Sequence, residues 1–198
     1  MADLMQAIAG LLLAALAVMG SPGPSTISLT AVAASHGARA ALGYGAGLVA
    51  GTVAVLLLVA AGLSTLLLAW PQAVLPVQIA ALAYCLFLAW RIATAPPLQT
   101  DDASAAAPGF VSGLFLGLAN PKAYLAIAAV YSSARLLPMP LGDAALKLAL
   151  LSIMIVLIHA AWLLFGAGLA QALRKPGLSR GLNILLAVAL VLSLALTF

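Results

Sequence analysis

From Leu4 to Ala38 the chain carries no Asp, Glu, Lys or Arg, and the same holds from Ala40 to Trp90, Leu148 to Leu173 and Gly181 to Phe198. A bilayer core of about 30 Å is crossed by roughly 20 apolar residues, and each of these stretches approaches or exceeds that length. Lipid offers backbone groups no hydrogen-bond partners, so only helices or closed barrels can span it. The apolar runs are continuous rather than alternating, which selects helices. Composition agrees: 66% of residues are hydrophobic and 6% charged, against roughly a quarter charged in a soluble domain. Mean hydropathy is +1.24. Glutamate is absent, and the four acids, Asp3, Asp101, Asp102 and Asp143, are expected at a terminus or in loops.

The spacing predicts six membrane segments in one domain over residues 1–198, an all-α integral membrane protein. The first runs from about Leu4 towards Ala34, broken at Gly20-Ser21-Pro22-Gly23-Pro24. The second covers about Ala41 to Leu68, and the third Ala73 to Trp90, after a turn with Trp70, Pro71 and Pro76. The fourth runs from about Phe110 to Ala134, broken at Asn120-Pro121. The fifth covers Ala145 to Leu173 and the sixth Gly181 to Phe198. The longest polar connection, Arg91 to Pro108, separates two three-segment halves of about 1–95 and 106–198. The acidic flank Met1-Ala2-Asp3 is unlike the basic start of a cleaved signal peptide. Cys85 is alone and forms no intrachain disulfide.

The net charge of +4 is dispersed over short loops, so it is explained by topology rather than by nucleic acid. Arg39, Arg91, Arg174, Lys175 and Arg180 fall on one side, and Arg135 and Lys147 on the other. The positive-inside rule then expects both termini outside.

The two halves share a broken first segment. Proline inside a helix removes a hydrogen bond and clashes with the preceding turn, at about 3 kcal/mol or more. Both breaks read as new helix starts, with Ser21 and Asn120 as N-caps and a proline after each. Segments one and four would cross in opposite directions, bringing two positive half-helix ends to the midplane from opposite sides. That is the layout of inverted-repeat transporters, and a carboxylate is the matching ligand. Lys122 adds a cation that costs roughly 2.5–3.5 kcal/mol at mid-membrane unless it faces protein or water. The plain alternatives are a snorkelling lysine and prolines that merely kink.

Other features point less sharply. His159 lies deep in segment five and is a candidate for proton coupling, or a histidine that simply bonds a neighbouring helix. Tyr44, Tyr84, Tyr124 and Tyr131 either line a path or pack. Gly43, Gly47 and Gly51, like Gly109, Gly113 and Gly117, are spaced by four. They suit close helix packing, a contact between copies in a homo-oligomer, or a sliding surface. No carboxylate pair, Gly-x-Ser-x-Gly elbow or phosphate loop occurs, so neither an enzyme nor an ATP-driven pump is expected. Cys85, His36 and His159 are too scattered to hold a metal, and no cofactor is expected.

At these residues the chain resembles the LysE/RhtB family of amino-acid exporters, within the LysE superfamily. Pro22-Gly23-Pro24 with Ser25-Thr26 is similar to its first-helix signature, followed by His36-Gly37, Gly43 and Gly47. Tyr84, Leu86, Trp90 and Arg91 resemble the end of its third segment, and Gly109-Phe110 with Asn120-Pro121-Lys122-Ala123 its fourth. Arg180 and Asn183 resemble the lead-in to its last. Ser25 departs from the family's usual asparagine, and Ala105-Ala106-Ala107-Pro108 replaces basic residues before the Gly-Phe. The resemblance implies efflux of a small amino acid driven by the proton motive force. A carboxylate would bind at Pro22, Gly23, Pro24, Ser25, Thr26, Asn120, Pro121, Lys122 and Ala123. The rivals are a superfamily exporter of metal ions or lipid-linked molecules, a non-transporting membrane scaffold, and an intramembrane enzyme.

Overall fold

The computed structural model describes residues 2–62, 107–169 and 176–195, with positions 76, 79, 82–83, 86–90 and 92–94 between them. Among these it is helical, without a strand. The helices are α1 (Ala2–Met19), α2 (Pro24–His36), α3 (Ala38–Ala60), α4 (Phe110–Ala119), α5 (Pro121–Ser132), α6 (Pro140–Leu169) and α7 (Pro176–Ala195). Residues 86–90 are helical as well.

Two helices, α3 and α6, are long and apolar enough to cross a membrane alone. Two more spans are made if each bent pair counts as one: α1 with α2, bent by 66°, and α4 with α5, bent by 60°. Both breaks stand where the prolines require them. The remaining expectations for segment three, including the turn at Trp70-Pro71, Tyr84 and Cys85, lie outside the described residues, as do Arg91, Asp101, Asp102, Arg174 and Lys175.

Local chemistry sets the boundaries and corrects several. The second half of segment one starts at Pro24, with Gly23 as N-cap, rather than at Pro22 with Ser21 as cap. A residue preceding proline is pushed out of helical dihedrals. Gly23 precedes Pro24 and is extended (φ −165°, ψ 178°), so a helix begun at Pro22 could not pass through it. The Gly23 N–H donates to Thr26 Oγ1 at 2.9 Å, half of a capping box. In α5 the expected cap is observed: Asn120 Oδ1 accepts from the Lys122 N–H at 3.1 Å. Gly37 alone separates α2 from α3, at φ +81°, a conformation that favours glycine.

Segments two, five and six also begin earlier than expected, at Ala38, Pro140 and Pro176. Prolines at 140 and 176 suit the first helical position. Asp143 is therefore in the first turn of α6 rather than in a loop, and Lys147, one turn on, is buried. Their carboxylate and ammonium pair at 2.9 Å. Asp143 Oδ1 also accepts from the backbone N–H groups of Leu136 (2.5 Å) and Leu137 (3.0 Å). At 1.5 Å per residue α6 is roughly 45 Å long, longer than the bilayer core, which leaves this pair near its end.

The glycine faces are used inside the chain. A Cβ on Gly47 would stand 2.0 Å from the Phe110 carbonyl oxygen, and one on Gly113 2.1 Å from that of Tyr44. Gly51 and Gly117 meet in the same way one turn on. Contacts advance in step along both helices, so α3 and α4 run parallel.

The packing is polar at its centre and apolar outside. In α2 every residue from Pro24 to Ala34 is buried, including Ser25, Thr26, Ser28 and Thr30. Their hydroxyls are satisfied locally: Ser28 donates to the Ser25 carbonyl and Thr30 to that of Thr26. Large apolar side chains such as Leu13, Leu125, Ile153 and Leu164 point outward, as a lipid-facing surface requires. One apolar cluster gathers α2 with Tyr44, Leu48, Leu88 and Leu190, and a second gathers α1 with Ile127, Leu151 and Ile155. The Gly20–Gly23 break lies between them.

Candidate functional site

The two breaks meet. Lys122, the second residue of α5, sends its side chain to the linker between α1 and α2. Its Nζ donates to the Ser21 carbonyl (2.8 Å), the Ser21 hydroxyl (2.8 Å) and the Pro22 carbonyl (2.6 Å). An ammonium has three hydrogens, and all three are engaged. Two of the acceptors are carbonyls just past the end of α1, where proline and helix termination leave them without helical partners. A cation there also suits the negative end of the helix dipole. Lys122 thus faces protein rather than snorkelling to the surface.

A second contact crosses the same gap: Asn120 Nδ2 donates to Ser25 Oγ at 2.7 Å, with both side chains buried. Asn120 therefore caps α5 with its oxygen and ties α5 to α2 with its nitrogen. Gly23 makes room for the lysine, since a Cβ there would lie 2.7 Å from Lys122 Cδ and 2.9 Å from Nζ. The first linker is held from another side by Trp162, whose indole N–H donates to the Gly20 carbonyl at 3.1 Å.

These groups border a cavity of about 40 Å³. That is room for roughly three waters, fewer heavy atoms than any amino acid has. Of the expected site residues, Gly23, Ser25, Thr26, Asn120, Lys122 and Ala123 line it, and so does His159 from α6. Pro22, Pro24 and Pro121 do not. Pro22 contributes a carbonyl to Lys122, while Pro24 and Pro121 set the helix starts.

Ser21, read from sequence as a helix cap, also lines it, and the remainder of the wall was not singled out from sequence: Met19, Thr52, Ala126, Ile127, Ile155 and Ile158. Thr52, a hydroxyl within an apolar run, was the one signal available; the aliphatic residues carry none. Tyr44 packs in the core, donating to Ser28 Oγ at 3.0 Å, and does not line the cavity.

His159 is 6% exposed. Its Nδ1 lies 2.8 Å from the Ile155 carbonyl oxygen, and its Nε2 has no partner. The lining residues include one cation and no carboxylate. Among the described residues no group of His, Cys, Asp or Glu could hold a metal ion. The cavity thus sets one cation and several polar groups against apolar walls.

Comparison with known proteins identifies the family. The family described as LysE type translocator matches residues 5–198. The cysteine/O-acetylserine efflux proteins of Escherichia coli (strain K12) and Salmonella typhimurium (strain LT2) are each 31% identical over 175 residues. Each alignment covers 86% of this chain and 87% of the relative. No solved structure matches.

Proposed function

This chain belongs to the LysE type translocator family, and from that premise we propose that it exports small, uncharged-side-chain amino acids across the bacterial inner membrane. It is a multi-pass transporter rather than an enzyme. The observation that carries the proposal is the junction of the breaks, where Lys122 and Asn120 of one meet Ser21, Pro22 and Ser25 of the other. The substrate carboxylate binds Lys122 Nζ in exchange for the Ser21 and Pro22 oxygens. The new bond joins two opposite charges away from bulk water, where an ammonium is drawn more strongly to a carboxylate than to a neutral oxygen, and the exchange loosens the contact between the halves.

The absence of an acid from the lining residues argues against cationic side chains as cargo. Its aliphatic wall of Ile127, Ile155 and Ile158 suits small neutral ones. Cysteine and O-acetylserine, for which the relatives are named, fit this class. The cavity is too small for either as it stands, so access requires the two halves to move apart. The parallel course of α3 and α4 supports six spans arranged as two inverted three-helix repeats, since it needs a return crossing between them. Both termini then lie outside by the distribution of basic residues. Export is driven by the proton motive force, with His159 as the coupling group.

The test is efflux from cells expressing this chain or its Lys122→Ala variant after loading with dipeptides that cover all twenty amino acids. Faster release of cysteine or other small neutral amino acids, lost in Lys122→Ala at equal membrane abundance, is the expected result. Release no faster than from empty cells would remove amino acids as cargo. Normal release by the variant would remove the anchor role of Lys122.

A further inference from the structure

A zwitterion anchored by its carboxylate leaves its ammonium group to be satisfied, and the lining residues supply no carboxylate to do so. The hydroxyls that border the cavity are engaged, that of Ser21 by donating to the Val18 carbonyl and accepting from Lys122. Ser25 Oγ accepts from Asn120, Thr26 Oγ1 accepts from the Gly23 N–H, and Thr52 Oγ1 donates to the Leu48 carbonyl. His159 differs. A carbonyl can only accept, so the bond to Ile155 puts the proton on Nδ1, and in the neutral ring Nε2 keeps its lone pair. That atom is buried, has no partner, and belongs to a ring that borders the same cavity as Lys122. A buried acceptor left unmatched is costly, and an ammonium N–H is the matching donor.

We infer that His159 Nε2 receives the α-ammonium group of the substrate, and that the coupling proton competes with the substrate for this same atom. The inference rests on the exporter proposed above. A protonated imidazole donates from both nitrogens and carries positive charge, so it cannot accept from an ammonium. Nε2 therefore holds a proton or a substrate, never both. Opening outward, the site releases the zwitterion and takes a proton onto Nε2; opening inward, it gives up that proton and takes the next substrate. One proton enters for each amino acid that leaves. The charged group sharing the cavity is Lys122 from α5, whereas α1, α2 and α3 present uncharged residues.

Binding of radiolabelled L-cysteine to the full chain in nanodiscs, under reducing conditions between about pH 5.5 and 7.5, tests this. In the parent protein binding should weaken as the pH falls. His159→Leu removes the acceptor, so binding should fall about ten-fold or more and lose its pH dependence. Competition by 3-mercaptopropionate, which has the carboxylate and no ammonium, should be unchanged in that variant. His159→Gln can place an acceptor near the Nε2 position and does not titrate. It should bind within a few-fold of the parent, without pH dependence, and in proteoliposomes should exchange cysteine without responding to a proton gradient.

A His159→Leu protein that binds like the parent would overturn the inference. So would equal loss of cysteine and 3-mercaptopropionate binding, which marks a purely structural role, or a His159→Gln protein that keeps the parent's pH response. Failure of the exporter itself is recognised separately, by a parent protein that binds none of the twenty amino acids, and would overturn both.

Discussion

The Asn120 side-chain amide donates to the Ser25 hydroxyl at 2.7 Å, joining two helix starts that stand 95 residues apart in the chain. Because Asn120 Oδ1 also caps α5, one side chain fixes both the start of its own helix and its contact with the other. Asn120→Ala should therefore cost more than Ser25→Ala. Losing the cap and leaving buried Ser25 without its donor should destabilise by about 2–4 kcal/mol, against about 1–2 kcal/mol for Ser25→Ala. Thermal unfolding of the detergent-purified proteins measures the order. Equal melting temperatures for the two variants would mean that the Asn120 cap contributes little.

Gly23 is required by its neighbour rather than by its backbone, which is extended. Gly23→Ala should push Lys122 away from Ser21 and Pro22, because the added Cβ meets Lys122 Cδ and Nζ inside 3.0 Å. The lysine is flexible, so the protein should still reach the membrane. Export should drop at least ten-fold if the Lys122 position governs carboxylate binding. Efflux assays normalised to membrane abundance give the comparison with Lys122→Ala, and unchanged export would separate the lysine's position from transport.

At the α3–α4 contact the obstacle is backbone, which cannot swing aside. Gly47→Ala and Gly113→Ala should each force the helices apart and destabilise by about 1–3 kcal/mol or more. Gly10→Ala, where nothing lies within 4 Å, should be neutral or slightly stabilising. The yield of folded protein after detergent extraction distinguishes them. Equal yields for Gly10→Ala and Gly47→Ala would contradict the close approach.

Asp143 serves Lys147 and also the N–H groups of Leu136 and Leu137. Near the helix end water screens the ionic part, which is worth at most about 1 kcal/mol. The two backbone bonds add about 1 kcal/mol each. Asp143→Ala should accordingly destabilise more than Lys147→Met, which keeps the backbone bonds and an apolar stem and gives up only the ammonium, with its place 5.0 Å over the Tyr131 ring. Reversed order in thermal unfolding would show the ion pair to be dominant.

Much of the architecture was legible without coordinates because its causes are local. Apolar runs without charge require a bilayer, and a proline excludes its own N–H from the helix wherever the chain folds. The breaks before Pro24 and Pro121 therefore appeared where expected. Even the shift of the first cap from Ser21 to Gly23 has a local cause, the effect of Pro24 on the residue before it. By contrast, nothing along the chain says that Lys122 reaches Ser21 and Pro22, that Asn120 reaches Ser25, or that the two glycine series meet each other rather than a second copy. Nor does it say that Ile127, Ile155 and Ile158 share a wall with His159. These contacts depend on the packing of helices distant in sequence, where backbone separation, set by glycines and filled by side chains, decides which polar atoms come within 3 Å. The sequence by itself determined a membrane-embedded chain with two proline-broken helices; the tertiary structure decided that the two breaks meet.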